Sequence, residues 1–459
     1  MSTLNGILEL SKRALMAHQV VANVIGNNVA NVNTPGYSRQ VASLVPSPSV
    51  QTPWGPLGTG VDLDEVRRYR DAFLDVQYRQ SASKQAYWEA VSRSLSEVEA
   101  MFNDPGESGL QAALDGFWDA WSDLANDPEN NTARVVVREK GEALVAVFRR
   151  LANYLLDHIE AVDSEAKKLV ADANAALQEV ADLNGKIQFV KAQGGSANEL
   201  LDQRDRLLDQ LAEWIGARSI ASADGTVRVL VGTEVLVEAT QFRPIQVVST
   251  GVDQMALAQF LGPSGAQLDL SECKLSGLLQ VRDEALRSFL HDLDTLAANL
   301  VREVNLRHRQ GYTLRGARGI DFFDEKGVTA SQIKLDQNIL RDLANIAASA
   351  EDTLGDNSIA LSIASLRSAK VMNAGADSLL EYYSGLIGRM GSLSAQAKDG
   401  VENQEVITET LDNQRLRVQG VSIDEEMAEI IKFQHAYAAA AQVTKVVDEM
   451  MRTVLAMVS

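Results

Sequence analysis

The chain has 459 residues, enough for more than one hydrophobic core, and sets 43 Lys and Arg against 62 Asp and Glu for a net charge of −19. That balance argues against a nucleic-acid partner, which needs clustered cations. A lone cysteine, Cys273, excludes an internal disulfide, and 5 % aromatic content leaves little for carbohydrate-stacking surfaces.

At the amino end, Leu4, Leu8, Leu15, Ala22, Ile25, Val29 and Val32 follow a spacing of four and three residues, widened by Ile7, Ala14 and Val21 and interrupted by Ser11 and His18. A repeat averaging about 3.5 residues is the seam of a supercoiled helix pair. No cleavable secretory signal is legible here, and no run of about 20 apolar residues could span a membrane. If the protein is exported, an uncleaved amino terminus is expected. Asn23, Asn27 and Asn31 recur every fourth residue, and their amides are expected to bond neighbouring chains. Thr34-Pro35-Gly36-Tyr37 suits a type II turn, with Gly36 supplying the positive φ.

Pro46, Pro48, Pro53 and Pro56 mark an extended linker over 46–59, and the helical pattern is expected from about residue 64. The run 131–192, rich in Ala, Leu, Glu and Val, predicts one long helix. At residue 217 the period changes to short β-branched runs separated by turns such as Asp224-Gly225, predicting an antiparallel β unit to about 272. Helices resume over about 275–310, 357–372 and 377–418, with a glycine-rich loop from Gly311 to Phe323. All nine prolines precede residue 264, so the rest of the chain is free to form long helices.

The last helix is expected over 424–458, about 52 Å at about 1.5 Å per residue. Gly420 ends the helix before it, and Ser422 with Glu425 fits a capping box. One apolar seam runs through Phe433, Ala436, Ala440, Val443, Val447, Met450, Val454 and Met457. A second, offset stripe runs through Ile430, Phe433, Tyr437, Ala440, Val447, Met451, Val454 and Val458. One of them can face residues 4–32 of the same chain and the other a neighbouring subunit.

These elements predict a mainly α fold. Long terminal helices (1–45 and 420–459) pair as a coiled coil, a discontinuous helical bundle takes 60–216 and 273–419, and a small antiparallel β domain is inserted at 217–272. Catalytic signals are weak. The five histidines show no paired-ligand spacing, and neither a nucleophile elbow nor a phosphate loop is present. No catalytic residue, cofactor or metal is therefore expected. Asp224, Glu234 and Asp253 read better as turn acids than as a glycosidase pair, and Cys273 as a half-buried packing residue.

The segment Asn27-Asn28-Val29-Ala30-Asn31-Val32-Asn33-Thr34-Pro35-Gly36-Tyr37-Ser38-Arg39-Gln40 resembles the amino-terminal signature of bacterial flagellar axial proteins. Residues 420–441 are similar to that family's closing helix. Tyr37-Ser38-Arg39-Gln40, the length and the loop from Gly311 to Phe323 point to the first hook-associated type, the subunits that join hook to filament. The β insertion, which the resemblance implies points outward, is shorter than is usual for such subunits. The resemblance implies a structural adaptor at the hook–filament junction, required for filament assembly and exported by the flagellum-specific type III apparatus. It implies a ring of identical subunits, the hook protein and a second junction protein as neighbours, and a dedicated chaperone on the C-terminal helix, with neither nucleic acid nor membrane insertion. The terminal seams, together with Asn31, Thr34, Pro35, Gly36, Tyr37 and Tyr437, would form the assembly interface. The alternatives are another axial component, such as a rod or hook subunit or the second junction protein, or an axial protein with a hydrolytic insertion. A membrane translocator is a further alternative, disfavoured by the missing span.

Overall fold

The computed structural model describes residues 2–52, 55–102, 109–252, 255–353 and 355–458. Helix α1 (Ser2–Ala30) is followed by four strands: β1 (Gln40–Pro46), β2 (Val50–Thr52), β3 (Gly55–Leu57) and β4 (Val61–Arg68). β1 pairs antiparallel with β4, and β2 with β3, so the segment makes a two-stranded ribbon with a small hairpin at its tip. This corrects the linker expected over 46–59 and the helix expected from about 64. Val61 and Leu63 alternate with Asp62 and Asp64 at the strand period of two, and Pro46 and Pro56 fall where the ladder ends or turns. The register shifts opposite Ser43 and Leu44, leaving Asp64 as the extra residue of a bulge. The ribbon runs back along α1, with Arg13 meeting Asp62 at 3.4 Å and Gly60 lying beside Leu10.

Four helices come next: α2 (Ala72–Phe102), α3 (Leu110–Asn126), α4 (Asn131–Ala192) and α5 (Asn198–Ile215). The long helix expected over 131–192 spans those residues. It starts at Asn130, whose side chain accepts from the Thr132 and Ala133 amides at 2.8 and 3.3 Å. A four-stranded antiparallel sheet then forms from β5 (Arg218–Ala221), β6 (Val227–Val231), β7 (Glu234–Glu238) and β8 (Gln241–Phe242), followed by the hairpin of β9 (Gln246–Val252) and β10 (Met255–Leu261).

The β unit does not stand apart as an outward domain, and this is a second correction. Val229, Leu236, Val237, Ala258 and Phe260 are buried in the same core as Val170, Leu177 and Val180 of α4. Polar side chains of α4 also satisfy its backbone. Asn184 donates to Val227 and Ala239 carbonyls at 2.8 and 2.7 Å and accepts from the Val227 amide. Asn174 exchanges two bonds with Ile245, and Asp163 accepts from the Ala258 amide. A strand face packed on a helix and anchored by that helix's amides is part of one body.

The chain returns through α6 (Lys274–Gln280), a π-helical turn (Val281–Leu286) and α7 (Arg287–His308). Buried Cys273 caps α6 through a reciprocal pair of bonds with Ser276, so the thiol is more enclosed than expected. The short helices α8 (Gln337–Arg341) and α9 (Ser358–Ala364) lead to α10 (Leu379–Gln419) and α11 (Ile423–Val458). α10 lies antiparallel on α2, because Ser81 meets Thr408 while Gly400 lies against Trp88, where a Cβ would come within 2.5 Å of the indole. The loop from Gly311 to Phe323 delivers Phe322 and Phe323 into an aromatic cluster with Phe117 and Trp121. His308 lies at its edge, pushed down to about 4 by burial. The Ala347 amide donates to its Nε2 at 2.9 Å, so Nδ1 carries the proton and donates to the Ile320 carbonyl at 2.7 Å.

Candidate assembly interface

The chain passes from α1 into β1 through a tight elbow. Tyr37 N–H donates to the Thr34 carbonyl at 3.1 Å and Gly36 has φ +77°, which is the type II turn that Pro35 and Gly36 predict. Arg206 of α5 lies against the turn, so closely that a Cβ on Gly36 would fall 2.3 Å from its Cδ. Beyond the turn, Ser38 donates from both N–H and Oγ to Asp202, at 3.0 and 2.7 Å. The Arg39 amide donates to the Gln419 carbonyl at 2.9 Å, and its guanidinium holds Glu426 at 2.6 Å and Glu425 at 3.5 Å. Three segments therefore meet here: the turn, the start of α5, and the α10–α11 junction.

Asn28 is the centre of the elbow. Its Nδ2 donates to the Gln40 carbonyl at 2.9 Å and to Glu426 at 3.0 Å. Its Oδ1 accepts from the Gln40 amide at 3.0 Å and from Tyr37 OH at 2.9 Å. Burial pushes the Tyr37 phenol up to about 12, with Asp202, Glu199 and Glu426 adding to it, so it stays a neutral donor. Asn27 donates to Tyr37 OH, and Asn31 donates back to Asn27 and accepts from Thr34. Of the three amides expected to reach neighbouring chains, Asn27 and Asn31 bond within the elbow, as does Asn28.

α1 and α11 run antiparallel. Asn28 meets Glu426 at one point, and His18 meets Phe433 at 5.7 Å further along. The most buried positions of α1 are Ser11, Ala17, Val21, Ile25 and Asn28. Of the expected seam only Ile25 is fully buried, while Leu4, Leu8, Leu15, Ala22, Val29 and Val32 are partly covered, as are Asn31 and Tyr37. The helix is gripped by α11 and by the ribbon, so its buried face is broader than a two-helix seam. Thr34, Pro35 and Gly36 are exposed.

On α11 the division between covered and exposed positions cuts across both expected stripes. Val447 is buried, at 3 % exposure, and Phe433 and Ala440 are partly buried with Ala436, Thr444 and Met451. Tyr437, Val443, Met450, Val454 and Met457 face solvent, Tyr437 at 45 %, Met450 at 53 % and Met457 at 80 %. The S-x-x-E start is only half made: the Glu425 amide reaches Ser422 Oγ at 3.5 Å, while the Glu425 carboxylate lies nearer Arg39.

Behind the elbow lies a buried ionic network. Asp202, Asp205 and Asp209 share one face of α5. Arg68 bridges the first two at 2.6 and 2.8 Å, and Arg79 holds Asp209 at 2.6 Å. Arg70 joins Asp75 to Asp205, and Arg415 of α10 closes the chain on Asp209 at 2.7 Å. Burial alone would push the Asp205 carboxyl up, but Arg70, Arg68 and Arg79 hold it below the usual carboxylate range.

Residues 95–323 match the family model described as flagellar hook-associated protein FlgK helical domain. The ends match flagella basal body rod protein (8–37) and flagellar basal body rod FlgEFG protein C-terminal (413–457). Over 98 % of its length the chain is 32 % identical to flagellar hook-associated protein 1 of Bacillus subtilis (strain 168), covering 97 % of that protein. The chain belongs to the flagellar hook-associated protein 1 family. The family's Escherichia coli (strain K12) member is 24 % identical over 96 % of this chain and 97 % of its own. The solved flagellar hook junction protein FlgK from Burkholderia pseudomallei shares the fold, with TM-score 0.67 at 14 % identity over 75 % of this chain and all of that one.

As a hook-associated protein 1 family member the chain is part of the flagellum, and its terminal helices overlap the rod-type matches. Sequence reasoning passed over Asn28, Ser38, Arg39, Asp202 and Glu426 as site residues. A signal was present: Asp202, Asp205 and Asp209 recur at three and four residues on α5, opposite Arg67-Arg68-Tyr69-Arg70, a charge pattern that a solvated helix face leaves unexplained. Among the carboxylates of the insertion, Asp224 accepts from Thr226 and Gln188 as a turn acid, Glu234 accepts from Ser264, and Asp253 lies outside the described residues.

Proposed function

We propose that this chain is the adaptor subunit at the hook–filament junction, required for filament assembly, with a structural rather than enzymatic role. The observation that carries this reading is the divided face of α11. Phe433, Ala436, Ala440 and Met451 are partly covered and Val447 is buried, while Val443, Met450 and Met457 stay in solvent along one flank and Tyr437 on the other. An apolar stripe of that length is a binding surface awaiting a partner. Copies of the chain arranged as a ring would cover it, with the hook protein on one side and the second junction protein on the other. Before assembly a dedicated chaperone would mask the same stripe on the C-terminal helix during export through the type III apparatus. The names borne by the relatives support this placement. The elbow, tied to the body through Asp202 and to α11 through Glu426, gives the helix pair a set direction relative to the body, as a load-transmitting joint needs.

The test is Met450→Asp in cells, with a labelled antibody against the protein. The expected result is label at the junction in the parent strain. The variant should lose filaments and junction label while the purified variant melts normally, because Met450 touches solvent in the isolated chain. Normal filaments in the variant, or parent label spread away from the junction, would overturn the reading.

A further inference from the structure

Among the described residues, β4 and β5 each have one side without a strand partner, and the exposed charges along them are opposite in sign. β5 is an outer strand of its sheet, and among the described residues only β6 pairs with it. A cleft of about 600 Å³ lies between α2, the end of α5 and the sheet, lined by Arg218, Ser219 and Ile220 of β5 together with Leu230 of β6. Val76 and Ile220 stand in that cleft at 45 % and 54 % exposure, over Ala212 and Leu230. Lys84 at the rim is held by Glu272 at 3.4 Å, whereas exposed Arg218 makes no ion pair among the described residues. An open strand edge beside an apolar wall is a template for one more strand.

β4 is the complement. Among the described residues it pairs with β1 alone. Its segment from Val61 to Glu65 shows solvent-exposed Leu63, Asp64 and Glu65, and neither acid makes an ion pair among the described residues. Within one chain the two edges are held apart. Asn198, at the start of α5, donates to the Val66 carbonyl at 2.8 Å, while β5 leaves the other end of that helix. The 18 residues between them span about 27 Å at about 1.5 Å per residue.

We propose that β4 of one copy adds to the β5 edge of the next. The acids at 64 and 65 then face Arg218, and Leu63 enters the cleft beside Val76 and Ile220. The charge complementarity selects a second copy of this chain as the occupant. Because the two patches differ, the contact is heterologous, and repeating it generates a ring or a helix rather than a closed pair. The inference rests on the reading of the chain as a subunit that assembles with its own copies.

The test uses assembled flagella. Ser219→Cys is combined in turn with Leu63→Cys, Asp64→Cys and Glu65→Cys. The only native cysteine, Cys273, is buried, so background crosslinking is low. Mild oxidation should join copies into a ladder for at least one combination. Arg218→Glu and Glu65→Lys should each lower incorporation about tenfold, and the two together should restore it. Failure of every cysteine pair to crosslink in flagella that contain the protein, with the charge variants incorporated normally, overturns the strand addition and leaves the junction reading intact. A crosslink to a different protein overturns the second copy as occupant. Absence of the parent protein from flagella would instead remove the reading on which the inference rests.

Discussion

Asn28 has no unused hydrogen-bonding capacity, since both amide hydrogens and both oxygen lone pairs are engaged. Asn28→Asp would replace the donor facing Glu426 with a second buried carboxylate, at a cost of about 3 kcal/mol. We expect amide protection to fall over residues 20–35 and 423–430 while the body melts as before. Unchanged protection would show that the elbow does not hold the helix pair. Glu213 on α5 is a different case. Burial, with Asp209 and Glu89 adding to it and Arg415 opposing, pushes its carboxyl up to about 7. A folded value above the unfolded one means that stability is complete below about 4.5 and is lost as pH rises through 7. Glu213→Gln should therefore be neutral below about pH 4 and stabilising by about 2 kcal/mol near pH 8, after discounting for partial solvent contact. Melting curves of parent and variant across that range decide it, and parallel curves would refute the assignment.

At the scale of elements, the two faces of α11 separate folding from assembly less cleanly than a heptad pattern suggests. Among the described residues of the helix Val447 is the one fully buried apolar side chain, so Val447→Asp places a carboxylate inside the α1–α11 pair, far from the helix N-terminus. The cost is several kcal/mol, enough to open the pair, and incorporation into flagella should cease while the body keeps its melting temperature. A motile strain carrying the variant would count against this. Since α1 and α11 each leave apolar residues such as Met16 and Leu455 in solvent, the pair alone should be weakly protected in the free chain. Amide exchange should show residues 2–35 and 425–458 opening readily in the monomer and slowly in assembled flagella. Strong protection in the dilute monomer would refute it. The long helices were legible because proline is absent, apolar spacing is sustained and Asn130 sits where α4 needs a cap. The ribbon was not, because the acids of β4 look like the first turns of a charged helix and prolines in the hairpin look like a linker. The pairing partners of Val61–Arg68 lie 15 (Pro46 to Val61) to 28 (Gln40 to Arg68) residues away, beyond what local periodicity reports.

For the whole molecule, the terminal pair, the elbow and the body form a chain of contacts in which the β unit is a structural member. An outward domain could be removed without consequence; this one covers α4. Its two ends lie close together, since a Cβ at Gly216 would sit 3.6 Å from Cys273 Cβ, so a short Gly-Ser linker could replace residues 219–271 without strain. Any loss of stability on deletion would then come from what the deletion uncovers. Val170, Leu177 and Val180 would lose apolar partners, and Asn174, Asn184 and Asp163 would lose the backbone groups they now satisfy. Buried Arg204 would also lose the Gly225 carbonyl it holds at 2.8 Å. Large cavities and stranded buried polar groups cost about 2–5 kcal/mol each, so we expect the melting temperature of the purified deletion variant to drop by about 10 °C or more. Incorporation into flagella should fall in step with it, because the elbow is anchored on α5, which precedes the deleted unit and packs against α4. A deletion variant that melts within a few degrees of the parent would show that the sheet is a removable appendage, and its shared core with α4 would carry little of the stability.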